Sequence, residues 1–109
     1  MEPVEINAGA WYLRAPRQDD LIDDRPALAS MGETDPDYIA RCTAWWTTDT
    51  GYTWAVCEPT TGEMLGEVRI NPLAATVCTR ARDGHEDATA IAEQSVRRFA
   101  AAMLGLTID

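Results

Sequence analysis

Between Gly51 and Pro72 the chain alternates with a period of two, and this stretch constrains the fold more than any other. Tyr52, Trp54 and Val56 fall on one face of an extended strand, and Thr53, Ala55 and Cys57 fall on the other. Pro59-Thr60-Thr61-Gly62-Glu63 has the composition of a turn. Beyond it Met64, Gly66, Val68 and Ile70 alternate with Leu65, Glu67 and Arg69, so the second arm shows one apolar and one mostly polar face. The reading is an antiparallel hairpin ended by Pro72, with a third strand expected around Thr76 to Arg80.

Helical patterns flank this hairpin. Thr34-Asp35-Pro36-Asp37 offers a capping side chain and a proline near the first helical position, where its missing N–H costs nothing. Tyr38, Cys42, Trp45 and Trp46 then recur at helical spacing and predict an aromatic buried face. Near the end, Ala88, Ile91, Ala92, Ser95, Val96, Phe99, Ala100 and Met103 share one stripe, with Glu93, Gln94, Arg97 and Arg98 opposite. Gly105 is placed to terminate that helix, and Leu106-Thr107-Ile108 has the character of a strand beginning. Toward the front, Val4 to Ile6 and Ala10 to Arg14 predict short strands around an Asn7-Ala8-Gly9 bend. The run from Arg17 to Asp24 predicts a helix with acids in its first turn, broken or restarted at Pro26.

A chain of 109 residues is one domain, long enough for a core without disulfides or metals. It carries 18 acids against 9 bases, all of them Arg, for a net charge of -9. That sign opposes phosphate backbones and anionic membrane surfaces, so no nucleic acid and no membrane is expected as a partner. Cys42, Cys57 and Cys78 are odd in number and lack Cys-x-x-Cys spacing. They are expected as small buried hydrophobes in a reducing compartment, with no metal site. The N-terminus has neither a basic region nor an apolar one, and no run reaches membrane-spanning length, so the expected location is cytoplasmic.

Three segments in order carry a resemblance to a known family. They are Ala10-Trp11-Tyr12-Leu13-Arg14-Ala15-Pro16 with Asp19-Asp20, the hairpin from Trp54 to Val68 with its Gly62-Glu63 turn and Leu65-Gly66, and the last helix with Leu104-Gly105-Leu106. Together they resemble the GNAT acyltransferase superfamily, in particular the subgroup that acetylates N-termini of ribosomal proteins. The resemblance implies an α/β (α+β) fold, with a central, mostly antiparallel sheet of about four or five strands flanked by helices. It covers nearly all of this chain but only the front of the family's domain. The expectation is therefore a single truncated GNAT-like domain, 1-109, lacking the family's C-terminal strands.

In that family a Gly-rich loop before the last helix cradles the pyrophosphate of acetyl-CoA with backbone N–H groups, aided by the helix dipole. Onto Arg82-Asp83-Gly84-His85-Glu86-Asp87-Ala88-Thr89 the resemblance carries Arg82, Gly84, Ala88 and Thr89 as cofactor-binding positions. Glu86 stands where the family has Gly, and Asp83 and Asp87 add two carboxylates. A carboxylate about 5 Å from a phosphate charge costs roughly 3 kcal/mol at an effective dielectric near 20. The helix dipole returns only about 0.3–1 kcal/mol. The plainer role of Glu86 and Asp87 is as the helix's own N-terminal anions.

No catalytic residue can be carried over. His85 is the one histidine and reads as a loop residue, Cys78 as a structural thiol, and Asp19, Asp20, Asp23 and Asp24 as a solvated face without calcium-loop spacing. Trp11, Trp45, Trp46 and Trp54 read mainly as core, with room for one or two at an interface. The expected function is a GNAT-like relative of acetyl-CoA-dependent N-acetyltransferases with activity reduced or lost. If active, a substrate amine would attack the acetyl thioester directly, with strand amides polarising the carbonyl. The alternative is a non-catalytic module acting through a protein partner or a homodimer paired along the C-terminal strand edge.

Overall fold

The computed structural model describes residues 1–108. A five-stranded antiparallel sheet runs in sequence order: β1 Ile6–Ala8, β2 Trp11–Arg14, β3 Tyr52–Cys57, β4 Met64–Asn71 and β5 Thr76–Ala81. The helices are α1 Arg25–Ser30, α2 Tyr38–Thr48 and α3 Glu86–Phe99, the last running into a π-helical segment Ala100–Leu104. The α+β architecture is the one expected. Gly9, at φ 64°, supplies the left-handed turn between β1 and β2, where Ala8 pairs with Trp11.

The hairpin registers Tyr52 against Ile70 and Trp54 against Val68. A register shift at Val56/Cys57, which pair with Gly66 and Met64, absorbs Leu65 as the extra residue just after the turn. On one face Trp54, Val56, Val68 and Ile70 pack with Trp46, Ala92, Val96 and Ala100. On the other, Ala55, Cys57 and Met64 pack with Leu28, Tyr38, Ile39 and Cys42. Helices therefore cover both faces, and the face read as polar is closed in as well: Glu67 is only 4% exposed.

Four local readings are corrected. Residues 17–24 form a loop and no helix. Asp19 Oδ1 accepts from the backbone of Leu21 and Ile22, both at 2.9 Å, and Asp24 N donates to Arg17 O at 2.9 Å. Aspartates that satisfy nearby N–H groups compete with the helix ladder; of the two alternatives at Pro26, a break or a restart, the structure shows a helix start, with Pro26 in the first turn of α1. Ile91 and Met103 are exposed, not buried on the α3 stripe. The stripe is narrower at Ile91, and the wider i→i+5 winding after Phe99 turns Met103 out of phase. Cys78 is exposed on edge strand β5, whereas Cys42 and Cys57 are buried. Residues 106–108 form no strand: Leu106 and Ile108 pack against the core, Leu106 N donates to Ala100 O at 3.0 Å, and Arg97 Nη1 to Ile108 O at 2.9 Å. Asp109, the last residue of that anticipated strand, lies outside the described residues.

Candidate functional site

The loop that the resemblance singled out joins β5 to α3. Arg82 N donates to Leu65 O at 2.9 Å, which extends the β4–β5 ladder by one residue. His85 N then closes a turn on Arg82 O at 2.9 Å, through Gly84 at φ 85°. That left-handed value favours glycine, and nothing lies within 4 Å of where a Cβ would stand. His85 is the N-cap residue of α3, and no side chain caps the helix. The first-turn N–H groups are thus aimed outward without a side-chain acceptor, the backbone geometry of an anion site.

The four carried-over residues divide in two. Gly84 and the backbone of Ala88 belong to the open turn and the start of α3. The side chains of Ala88 and Thr89 are buried, and Thr89 Oγ1 donates to His85 O at 3.0 Å. Thr89 also sits directly over Gly66 of β4: a Cβ there would overlap Thr89 Oγ1 and stand 3.0 Å from Arg80 O. Arg82 turns away toward the β3–β4 turn, donating from Nη1 to Glu63 Oε1 at 2.6 Å and to Met64 O at 3.2 Å. There it joins Ile22, Asp23, Gly62 and Glu63 in lining a cleft of about 330 Å³. Asp83, Glu86 and Asp87 are exposed around the helix start, so its side-chain charge is negative and its one arginine is committed elsewhere.

A second polar site lies on the opposite face of the sheet, between β4, β5 and the start of α2. Glu33, Tyr38, Glu67, Arg69, Cys78, Thr79 and Arg80 line a cavity of about 220 Å³. Tyr38 Oη donates to Glu67 Oε2 at 2.7 Å, and Arg80 Nε donates to Glu67 Oε1 at 2.8 Å. Arg80 Nη2 reaches Glu33 Oε1 at 3.2 Å. Burial and then the Glu67 charge push the Tyr38 phenol well above its ordinary pKa. Burial alone would lower the Arg80 pKa, but Glu67 and the other partners raise it on balance. Arg69 stacks on Trp45, 4.0 Å from the ring centroid.

Sequence reasoning missed this cluster because Glu67 was placed on the mostly polar face of the hairpin and Arg80 was read only as the end of a third strand. The signal was present: Glu67, Arg69, Cys78 and Arg80 share one face in register, and Tyr38 opens the aromatic helix above it. Among the described residues no group of three or more His, Cys, Asp and Glu side chains is placed to hold a metal. No described helix is long and apolar enough to cross a membrane.

No family model matches the sequence, and no curated protein does. Solved structures do. A Vibrio cholerae protein assigned as a ribosomal-protein-serine acetyltransferase superposes with a TM-score of 0.73 at 17% identity, over 97% of this chain and 72% of that one. The fold is GNAT-like. An acetyltransferase from Agrobacterium tumefaciens strain C58 gives a TM-score of 0.65 at 21% identity, over 97% of this chain and 71% of that one. Within this GNAT-like fold, the β5–α3 loop that the sequence resemblance singled out lies on one side of the sheet, and the polar cavity lies on the other.

Proposed function

We propose that this chain is a relative of acetyl-CoA-dependent N-acetyltransferases in which cofactor binding is weakened and acetyl transfer is reduced or lost. The observation that carries the reading is the charge at the start of α3. The uncapped N–H groups and the open turn at Gly84 suit a pyrophosphate, but the side chains do not: Glu86 and Asp87 occupy the first helical turn and Arg82 is held by Glu63. Its free thiols suit a reducing compartment such as the cytoplasm.

Calorimetric titration with acetyl-CoA tests this directly. The expectation is no binding, or binding only in the millimolar range, and no transfer to a panel of peptide N-termini. The double substitution E86G/D87S should tighten binding at least about tenfold, equivalent to about 1.4 kcal/mol. That is less than the unscreened repulsion because both carboxylates face solvent. Micromolar binding by the unaltered chain would overturn the reading.

One observation favours a second reading, a non-catalytic module acting through a protein partner or a second copy. The expected C-terminal strand edge is not formed at residues 106–108, but among the described residues β5 is an edge strand of six residues paired with β4 alone, and such an edge is a template for strand addition. Sedimentation at high concentration, together with affinity capture, tests it. A monomer without a specific partner removes the second reading.

A further inference from the structure

The two edges of the sheet are built differently. β1 is three residues long, with Glu2, Pro3 and Glu5 just before it, a length and residue types that discourage strand addition. β5 is six residues long, contains no proline, and pairs with β4 without a register shift. Its one charged side chain, Arg80, is held by Glu67 and Glu33. The ladder fixes which backbone groups this edge presents. Arg82 N donates to Leu65 O at 2.9 Å, one residue beyond the Gly66–Ala81 pair. Bonded and non-bonded pairs alternate in an antiparallel ladder, so Arg80, Cys78 and Thr76 bond to β4. The N–H and C=O groups of Val77, Thr79 and Ala81 point away from it, and among the described residues no strand or loop takes them.

Free groups on alternate residues, centred on Thr79, complement themselves in the antiparallel sense. A two-fold axis beside Thr79 sets it against the partner's Thr79, and sets Val77 against the partner's Ala81. Every outward N–H and C=O then meets its opposite. In that register Arg80 faces the partner's Cys78 and not a second arginine, so no like charges stand directly opposite. Charge favours the same occupant. The chain has 18 acids and 9 bases, yet no acid lies between Pro72 and Arg82. Two copies of net charge -9 therefore repel least along this edge. The chain's own last described residues are committed elsewhere: Leu106 N donates to Ala100 O, and Ile108 O accepts from Arg97.

We propose that a second copy of this chain pairs along β5, antiparallel and two-fold about Thr79, joining two five-stranded sheets into one. This pairing rests on the second reading, a module acting through a partner or a second copy, and makes the partner the copy. One strand and its adjoining turns form a small interface, so the dimer is weak and its population depends on concentration.

Sedimentation equilibrium of the full chain from about 10 μM to about 1 mM tests it. The mass should rise from 12.0 kDa toward twice that value. Over the same range, amide hydrogen exchange read by NMR should slow at Val77, Thr79 and Ala81, whose N–H groups are free in the monomer. Thr79→Pro removes an outward N–H and no bond to β4, a position where an edge strand tolerates proline. Thr79→Lys sets two ammonium groups against each other across the axis. Each should raise the dissociation constant at least about tenfold and leave the near-UV circular dichroism of the monomer unchanged. The lysine variant carries the test if proline disturbs the strand. A monomer at about 1 mM overturns the proposal, and a specific protein partner captured by that monomer would still keep the second reading. A dimer that both variants leave intact, or exchange slowed at other amides only, also overturns it and moves the contact to another surface.

Discussion

Removing the Asp24 carboxylate should cost this fold a large part of its stability. Asp24 is 2% exposed and Arg14 is 4% exposed, and they meet as a bidentate pair with Nη1–Oδ2 at 2.7 Å and Nη2–Oδ1 at 2.9 Å. Arg14 also donates to Gly62 O at 3.0 Å and to Ala15 O at 3.1 Å, while Asp24 accepts from Arg17 N at 2.6 Å. One ion pair thus ties strand β2, the 17–24 loop, the start of α1 and the β3–β4 turn together. Asp24→Ala leaves the guanidinium buried without its counter-charge, which costs about 3–5 kcal/mol. The orphaned Arg17 N–H adds about 1 kcal/mol. Against a total stability of about 5–15 kcal/mol for a domain, that is about a quarter or more.

Urea unfolding followed by tryptophan fluorescence measures the loss. With m near 1–3 kcal/mol/M for a domain of this size, the midpoint should fall by about 1.3 M or more while m is unchanged. Asp24→Asn keeps an acceptor for Arg17 and should lose less. The double replacement Arg14→Met/Asp24→Leu should recover much of the loss, because an apolar pair of similar volume removes the stranded charge. A loss below about 1 kcal/mol in Asp24→Ala would refute the assignment of this pair as the tie. So would a double variant no better than the sum of the two single ones.

Thiol chemistry and alkaline titration give two further checks. Burial raises the Cys42 thiol to about 11 and the Cys57 thiol to about 12, and only Cys78 is exposed. Iodoacetamide at pH 8 should therefore label one cysteine per folded chain, mapped to Cys78 by mass spectrometry; a second label before unfolding counts against the packing described. All three tyrosines are raised: Tyr12 to about 12 by burial and then by the Glu5 hydrogen bond, and Tyr38 and Tyr52 chiefly by burial. The unfolded chain releases these protons near pH 10 and the folded chain later. This contribution to stability is complete below pH 10 and declines as pH rises through the folded values. Tyrosinate absorbance should appear above pH 10, together with loss of structure. A tyrosine ionising at pH 10 in folded protein would contradict it.

Much of the fold was legible because its strongest signals are periodic. The alternation from Tyr52 to Ile70 gave the central hairpin, and the stripe from Ala88 to Ala100 gave α3, because burial on one side repeats along these elements. What was not legible depends on contacts distant in sequence. Glu67 reads as a surface residue until Tyr38, 29 positions away, covers it. Arg14 reads as a strand end until Asp24 turns back to it, and the aspartates of residues 17–24 read as helical until their own loop takes their oxygens. The β5–α3 loop was located correctly as a turn before a helix. The direction of Arg82 was not readable, because it depends on Glu63 across the neighbouring strand.

The positions of that loop also separate what the fold requires from what a cofactor would require. Thr89 and Ala88 are buried, and Thr89 rests on Gly66, so a larger residue at either Ala88 or Gly66 would lift α3 from the sheet. These positions match the GNAT pattern and have a structural reason to match, whether or not a phosphate is present. A flanking cation and a neutral first turn have no such reason: α3 is intact with Arg82 bonded to Glu63 and with Glu86 and Asp87 at its start. Acids there favour the helix itself through its dipole. The resemblance therefore holds at Gly66, Ala88 and Thr89, where packing needs it, and departs at Glu86, beside which Asp87 adds a second carboxylate, a contrast that supports weakened cofactor binding and makes E86G/D87S the substitution to try before any change to the core.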